Sequence, residues 1–132
     1  MTILVDSSVW IDYFNGTPTA ETDYLDQILG WRDIVVGDLI LAEVLQGFRQ
    51  EKEFYRARNA LLKFRVASMV GTEIALQSAM NYRFLRSQGI TIRKTMDCLI
   101  ATFCIENELH LLHSDRDFNQ IATILPLAIQ RP

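Results

Sequence analysis

Apolar residues fall along this chain in two alternating rhythms. Short apolar runs at Ile3-Leu4-Val5, Ile34-Val35-Val36 and Leu127-Ala128-Ile129, and the mainly apolar residues 66–70 and 109–112, interrupted by Ser68 and His110, have the length of strands buried on both faces. Between them, apolar residues recur at helical spacing. Residues 9–14 read as a short helix stopped by Asn15-Gly16, and residues 19–29 carry the stripe Tyr24, Leu25, Ile28, Leu29. Asp38 is placed to cap a helix over residues 39–50, and residues 51–64 repeat Phe54, Ala57, Leu61 and Phe64. Thr72 is expected to cap a long helix to Ser87, closed by Gly89. Thr95 is expected to cap another over residues 96–106, and residues 115–124 form a last short helix.

Buried strands alternating with helices predict an α/β fold, three layers deep, with helices on both faces of a central, mostly parallel sheet. In such sheets ligands gather beyond the carboxyl ends of the strands. Asp6 and Asp115 both stand just past the end of a predicted strand, and this is the first functional signal.

Composition narrows the classes. A chain of 132 residues, 49% apolar and 22% charged, is expected to fold as a single domain over residues 1–132. The net charge of −3 excludes nucleic-acid binding by overall field, so any such contact must come from a local basic patch or from metal ions. Cys98 and Cys104 lie six residues apart in a helical segment, which neither a disulfide nor a zinc motif fits. They read as buried thiols of a reduced, cytoplasmic protein. The opening lacks a basic leader, and no apolar run is long enough to span a membrane.

The chemistry lies in the acids. Asp6 followed by Ser7-Ser8 suits a helix cap, worth roughly 1 kcal/mol, as well as a ligand. Glu43 is a lone acid among Leu39, Ile40, Leu41, Ala42, Val44 and Leu45; it fits a narrow solvated stripe with Gln46 and Gln50, or a carboxylate aimed into a cleft. Asp97 opens an otherwise apolar helix and shares a face with Ile100, Ala101 and Cys104. The helix dipole favours an acid there, but on a buried face it needs a partner. Asp115 and Asp117 follow the fourth strand, where Asp115 also suits a cap.

An α/β sheet would bring these strand ends and helix starts together. Carboxylates crowded in a cleft repel, and a cation relieves the repulsion. With no Cys or His cluster, the donors are hard oxygens, which suit Mg²⁺ or Mn²⁺. Such ions serve phosphodiester cleavage. No Gly-rich Lys-Ser/Thr loop is present, which argues against a P-loop nucleotidase. A phosphatase with an aspartyl nucleophile is disfavoured because Ser8, not an acid, follows Asp6 by two. A non-catalytic RNA- or protein-binding module on the same fold, its acids acting as caps, remains the alternative.

Four blocks resemble the PIN-domain nucleases, and in particular the VapC-type toxins. They are Val5-Asp6-Ser7-Ser8-Val9-Trp10-Ile11-Asp12-Tyr13-Phe14, Ala42-Glu43-Val44-Leu45-Gln46-Gly47, Thr95-Met96-Asp97-Cys98-Leu99-Ile100-Ala101 and residues 111–118. They occur in the family's order and cover nearly the whole chain. The resemblance implies a metal-dependent endoribonuclease, neutralised by a cognate VapB-type antitoxin and homodimeric. By position it implies Asp6, Glu43, Asp97 and Asp115 as catalytic, Mg²⁺- or Mn²⁺-holding acids. Asp117 would be a supporting acid or share the last role with Asp115, and Ser8 would orient Asp6. His113 departs from the Thr or Ser of many relatives and reads as a strand-end residue. Arg93 and Lys94, just before Asp97, are the candidate RNA contacts. The Arg49, Lys52, Arg56, Arg58, Lys63, Arg65 cluster reads as a solvated face paired locally with Glu51 and Glu53.

Overall fold

The computed structural model describes all 132 residues. Five strands, β1 (Thr2–Val5), β2 (Asp33–Gly37), β3 (Arg65–Ala67), β4 (His110–Leu112) and β5 (Ala128–Ile129), form one sheet in the order β3-β2-β1-β4-β5. Every pairing is parallel, with Ile3 beside Ile34 on one side and beside His110 on the other. The expected three-layer α/β/α architecture is the one found, and its sheet is parallel throughout.

The chain steps outward from β1 through β2 to β3, then returns to β4 and moves the other way to β5. Since parallel crossovers are right-handed, each direction of travel places its helices on a different face. The first group is α1 (Ser7–Asn15), α2 (Ala20–Ile28), α3 (Asp38–Leu45) and α4 (Glu51–Leu61), which pack against one another. The second is α5 (Gly71–Ser87), α6 (Thr95–Glu106) and α7 (Arg116–Ala122), likewise mutually packed. Ile3, Leu4, Val5, Leu111 and Leu112 have no exposed surface between the layers, and each contributes about 1.5–3 kcal/mol by burial. No helix is long and apolar enough to cross a membrane.

The direction of travel reverses between β1 and β4, and the Asp6 N–H donates to Leu112 O at 2.9 Å, holding the two strand ends together. This is the place where an open α/β sheet leaves a crevice.

Several expected boundaries shift. The α3 helix stops at Leu45 rather than near Gln50: Gly47 and Phe48 donate to carbonyls three residues back, and Phe48 packs edge-on against Phe14, ring centroids 6.0 Å apart. Strand β3 covers 65–67 rather than 66–70. The chain leaves the sheet because the Met69 N–H donates to the Asp38 carboxylate at 3.1 Å. The Met69 side chain then lies over Gly37, where an added Cβ would run into its sulfur, so any larger residue at the end of β2 would force Met69 to move. Asp38 is the first residue of α3, and Gly37 occupies the cap position. Neither Thr72 nor Thr95 caps its helix; Val70 and Lys94 hold those positions without side-chain bonds. Thr19 does cap α2, in a reciprocal pair with Thr22. The arginines and lysines around α4 are exposed, but none pairs with Glu51 or Glu53, because Arg93–Asp117 is the chain's one ion pair.

Candidate metal centre at the sheet's carboxyl end

Asp6 follows β1 directly, and its backbone turns from extended into α1. Its Oδ2 accepts from the Ser8 N–H at 3.1 Å and the Ser8 hydroxyl at 2.6 Å. The Ser8 Oγ in turn accepts from the Ser114 N–H at 3.2 Å. One serine therefore fixes the acid and ties the ends of β1 and β4 together. Asp6 is buried, which pushes its carboxyl pKa up, against the pull of the Ser8 bonds.

Across the crevice, Asp97 lies in the first turn of α6 on the face with Ile100, Ala101 and Cys104, all buried. Burial first, then the neighbouring charges of Asp115, Asp6 and Asp117, raise it to about 7, while Lys94 opposes. Its Oδ2 is buried without a hydrogen-bond partner. Glu43 Oε1, from the middle of α3, is equally buried and unpartnered. Burial and Asp6 raise the Glu43 pKa, against the nearby Ser7 hydroxyl and Lys94.

Asp115 caps α7, its Oδ1 accepting from the Asp117 N–H at 3.0 Å. Asp117 is buried and accepts from Arg93 Nε and a terminal nitrogen, both at 3.3 Å. Asp97, Asp115 and Asp117 each offer an oxygen within 4.8 Å of the others. That triad contains Asp117, which the resemblance offers as a supporting acid or as sharing the last role with Asp115. Asp6 and Glu43 stand outside that triad; Asp6 is coupled by charge to Asp97 on one side and to Glu43 on the other.

Cap and ligand turn out to be compatible readings. Asp6 and Asp115 both cap helices while facing the crevice. Capping accounts for neither Asp97 nor Glu43, whose orphaned oxygens sit in acidic surroundings. Unpartnered buried carboxylate oxygens and an all-oxygen donor set fit a hard divalent cation. Of the candidate RNA contacts, Arg93 is engaged by Asp117 yet mostly exposed, and Lys94 is exposed beside the acids. The Arg93–Asp117 pair spans 24 positions; only the alternation of opposite charges flanking α6 and α7 hints at it. The tie through the Ser114 N–H carries no signal in the sequence, since any residue supplies that donor.

Cys98 and Cys104 are free and buried. Burial and the nearby Asp6 push the Cys104 thiol further up, which leaves it unreactive.

Solved structures share this arrangement of elements, and known sequences match the chain along nearly its whole length. The PIN domain family model matches residues 3–124. A VapC ribonuclease, Mb1587, of Mycobacterium bovis is 31% identical over 130 residues, covering 95% of each chain. Among solved structures, VapBC2 from Rickettsia felis, bound to a DNA fragment from its promoter, superposes with a TM-score of 0.78 at 16% identity over 98% of both chains. A toxin–antitoxin complex from Klebsiella pneumoniae gives 0.68 at 22% identity, over 96% of this chain and 99% of that one. With the crevice where the topology puts it and a family match across nearly its whole length, the chain belongs to the PIN-domain family.

Proposed function

We propose that the chain is a metal-dependent endoribonuclease, the toxin of a VapBC-type toxin–antitoxin pair, acting on RNA in the cytoplasm. The observation that carries this reading is Asp97: a buried carboxylate oxygen with no partner, facing three other acids. A charge so placed is costly unless a cation joins it. Asp6, Glu43, Asp97 and Asp115 are the catalytic, metal-holding acids, with Asp117 closing the triad around the same ion. Bound Mg²⁺ or Mn²⁺ would supply the positive charge that polarises a phosphodiester and acidifies a water. Ser8 holds the Asp6 carboxylate in one orientation, Arg93 holds Asp117, and Lys94 meets the phosphate backbone. The VapC ribonuclease relative supports RNA as substrate, and the VapBC2 neighbour supports a VapB-type antitoxin as partner.

The test is cleavage of structured RNA by purified protein in Mn²⁺. Asp6→Asn and Asp97→Asn should each abolish cutting, as should EDTA. Undiminished cutting by either variant, or in EDTA, sinks the reading.

A homodimer belongs to the same proposal. Leu76, Met80 and Phe84 form a stripe on α5, exposed by 64%, 61% and 48%. Beside it, Ala75, Ala79, Tyr82 and Leu99 wall an apolar hollow of about 520 Å³ between α5 and α6. Knobs and hollow on one face suit a second copy related by a two-fold axis. Met80→Glu should sediment as a monomer; an unchanged dimer would place the contact elsewhere.

A further inference from the structure

Helix α5 carries Gln77, Ser78, Asn81 and Tyr82, a polar stripe on one face at spacings of three and four. Where that face meets α6, buried polar groups need partners. Ser78 and Asn81 are buried, and so are Cys98 and Thr102 on α6. Gln77 Nε2 donates to Asn81 Oδ1 at 3.0 Å, and Asn81 Nδ2 donates to Thr102 Oγ1 at 3.0 Å. Thr102 Oγ1 in turn donates to the Cys98 carbonyl at 2.7 Å. The Cys98 thiol donates to the Ser78 carbonyl at 3.5 Å, and the Tyr82 hydroxyl donates to the Ile92 carbonyl, just ahead of α6, at 3.3 Å.

The relay ends on Cys98, the residue after Asp97. A threonine within a helix bonds the carbonyl four residues back unaided. The contact from Asn81 is not local, and it ties that hydroxyl to the neighbouring helix. The first turn of α6 has little else to fix it. Lys94, at the cap position, makes no side-chain bond. Asp97 Oδ2 has no partner, and the charges of Asp115, Asp6 and Asp117 repel it. A turn with no side-chain cap and an unpaired acid is the part of a helix readiest to fray. Where Asp97 stands is set by the packing of α6 on α5, and hydrogen bonds within that packing fix one register where apolar contacts alone would allow sliding.

We propose that Asn81 and Thr102 are positioning residues for the metal centre: their buried relay holds the first turn of α6, and with it Asp97, in place among Asp6, Asp115 and Asp117. Neither side chain touches the ion; both act through the backbone at Cys98. The assignment rests on the reading of Asp97 as a metal-holding acid. Ligand sets need their donors placed to about 0.5 Å, which a fraying turn would not provide.

Calorimetric titration of Mn²⁺ into the whole protein, paired with amide exchange in the absence of metal, tests the relay. Thr102→Val removes the hydroxyl at nearly constant shape. Mn²⁺ should then bind about tenfold more weakly, the low end for a group that orients a ligand. RNA cutting should drop at limiting Mn²⁺ and recover when the ion saturates. In metal-free protein the Cys98 and Leu99 amides should exchange about tenfold faster, as for one lost hydrogen bond, with Ile105 and Glu106 unaffected. Thr102→Ser keeps the hydroxyl and should restore both. Asn81→Leu with Thr102→Val replaces both buried partners by apolar groups, which holds stability nearly level, and should lose the same affinity. Leu25→Ala opens a cavity in the opposite helical layer; it should lower the melting temperature and leave the affinity alone. Parental affinity in both valine variants overturns the proposal, and so does an equal loss in Leu25→Ala. Were the parent to bind no Mn²⁺ while Thr102→Val still loosened residues 98–99, the metal reading would fall and the positioning of Asp97's turn would stand.

Discussion

The two walls of the crevice hold their acids by opposite means. On the β1 wall, Asp6 is anchored: two donors from Ser8 fix its Oδ2, and the serine is itself tied to the β4 end. On the α6 wall, Asp97 is just as buried but has a bare Oδ2 facing Asp115, Asp6 and Asp117. The first acid is oriented by the chain's own bonds, and its geometry is set on folding. The second is held by packing alone against the field of its neighbours, and its comfort depends on what enters the crevice. The α6 wall is therefore where folding stability is given up for chemistry.

The sharpest way to break this contrast is Asp97→Asn. Activity should fall by about 100-fold or more, as for a lost ligand, while the metal-free protein becomes more stable at pH 8. The gain should be about 1–3 kcal/mol; open water in the crevice keeps it below what the full pKa shift would give. Urea titration without metal reads it. Asp6→Asn should show no such gain, because it discards charge-assisted bonds from Ser8 along with the charge. Equal stabilisation by both variants would mean that the walls do not differ.

The same contrast predicts a dependence on pH. A group whose folded pKa lies above its unfolded value stabilises fully below the unfolded value and loses that contribution as pH rises through the folded one. For Asp97 the window runs from 3.8 to about 7, and Asp6 and Glu43 shift in the same direction. Metal-free protein should thus lose stability from pH 4 to pH 7. Divalent ions need the acids deprotonated, so Mn²⁺ should reverse the trend. At a hundredfold excess over its Kd it should add about 2.7 kcal/mol, several degrees in melting temperature. The rise should be larger at pH 8 than at pH 6; an equal rise at both would separate the binding site from these acids.

The contrast also marks how far the sequence can be read. The α6 wall was legible, because Asp97, Ile100, Ala101 and Cys104 fall on one face by simple helical periodicity, and all four are buried. Asp6 and Asp115 were legible as strand ends in a parallel sheet, and the sheet came from solid apolar runs such as Ile34-Val35-Val36. Asp117's place in the tightest triad was not, since it depends on how α7 leaves its cap and on an arginine 24 residues away. The end of α3 and the shortness of β3 escaped for the same reason. Phe14 draws Phe48 out of the helix, and Asp38 pulls the Met69 backbone off the sheet. Both are tertiary contacts that override local propensity. Thr72 and Thr95 mislead because a threonine near a helix start is as easily inside the first turn as before it.

The mildest test falls on the β1 wall. Ser8→Ala removes the hydroxyl that donates to Asp6 and accepts from the Ser114 N–H, leaving the Ser8 N–H bond in place. Loss of one charge-assisted bond and one backbone tie should cost about 1–2 kcal/mol of stability. Cutting should fall about tenfold, the effect of disturbing a group that orients a ligand. That loss should appear as weaker apparent affinity for Mn²⁺, since Asp6 is free to rotate away. Ser8→Thr keeps the hydroxyl and should recover most of both. If the alanine variant bound Mn²⁺ as tightly as the parent, Asp6 would be oriented by the strand end itself, and the two walls would share one mechanism after all.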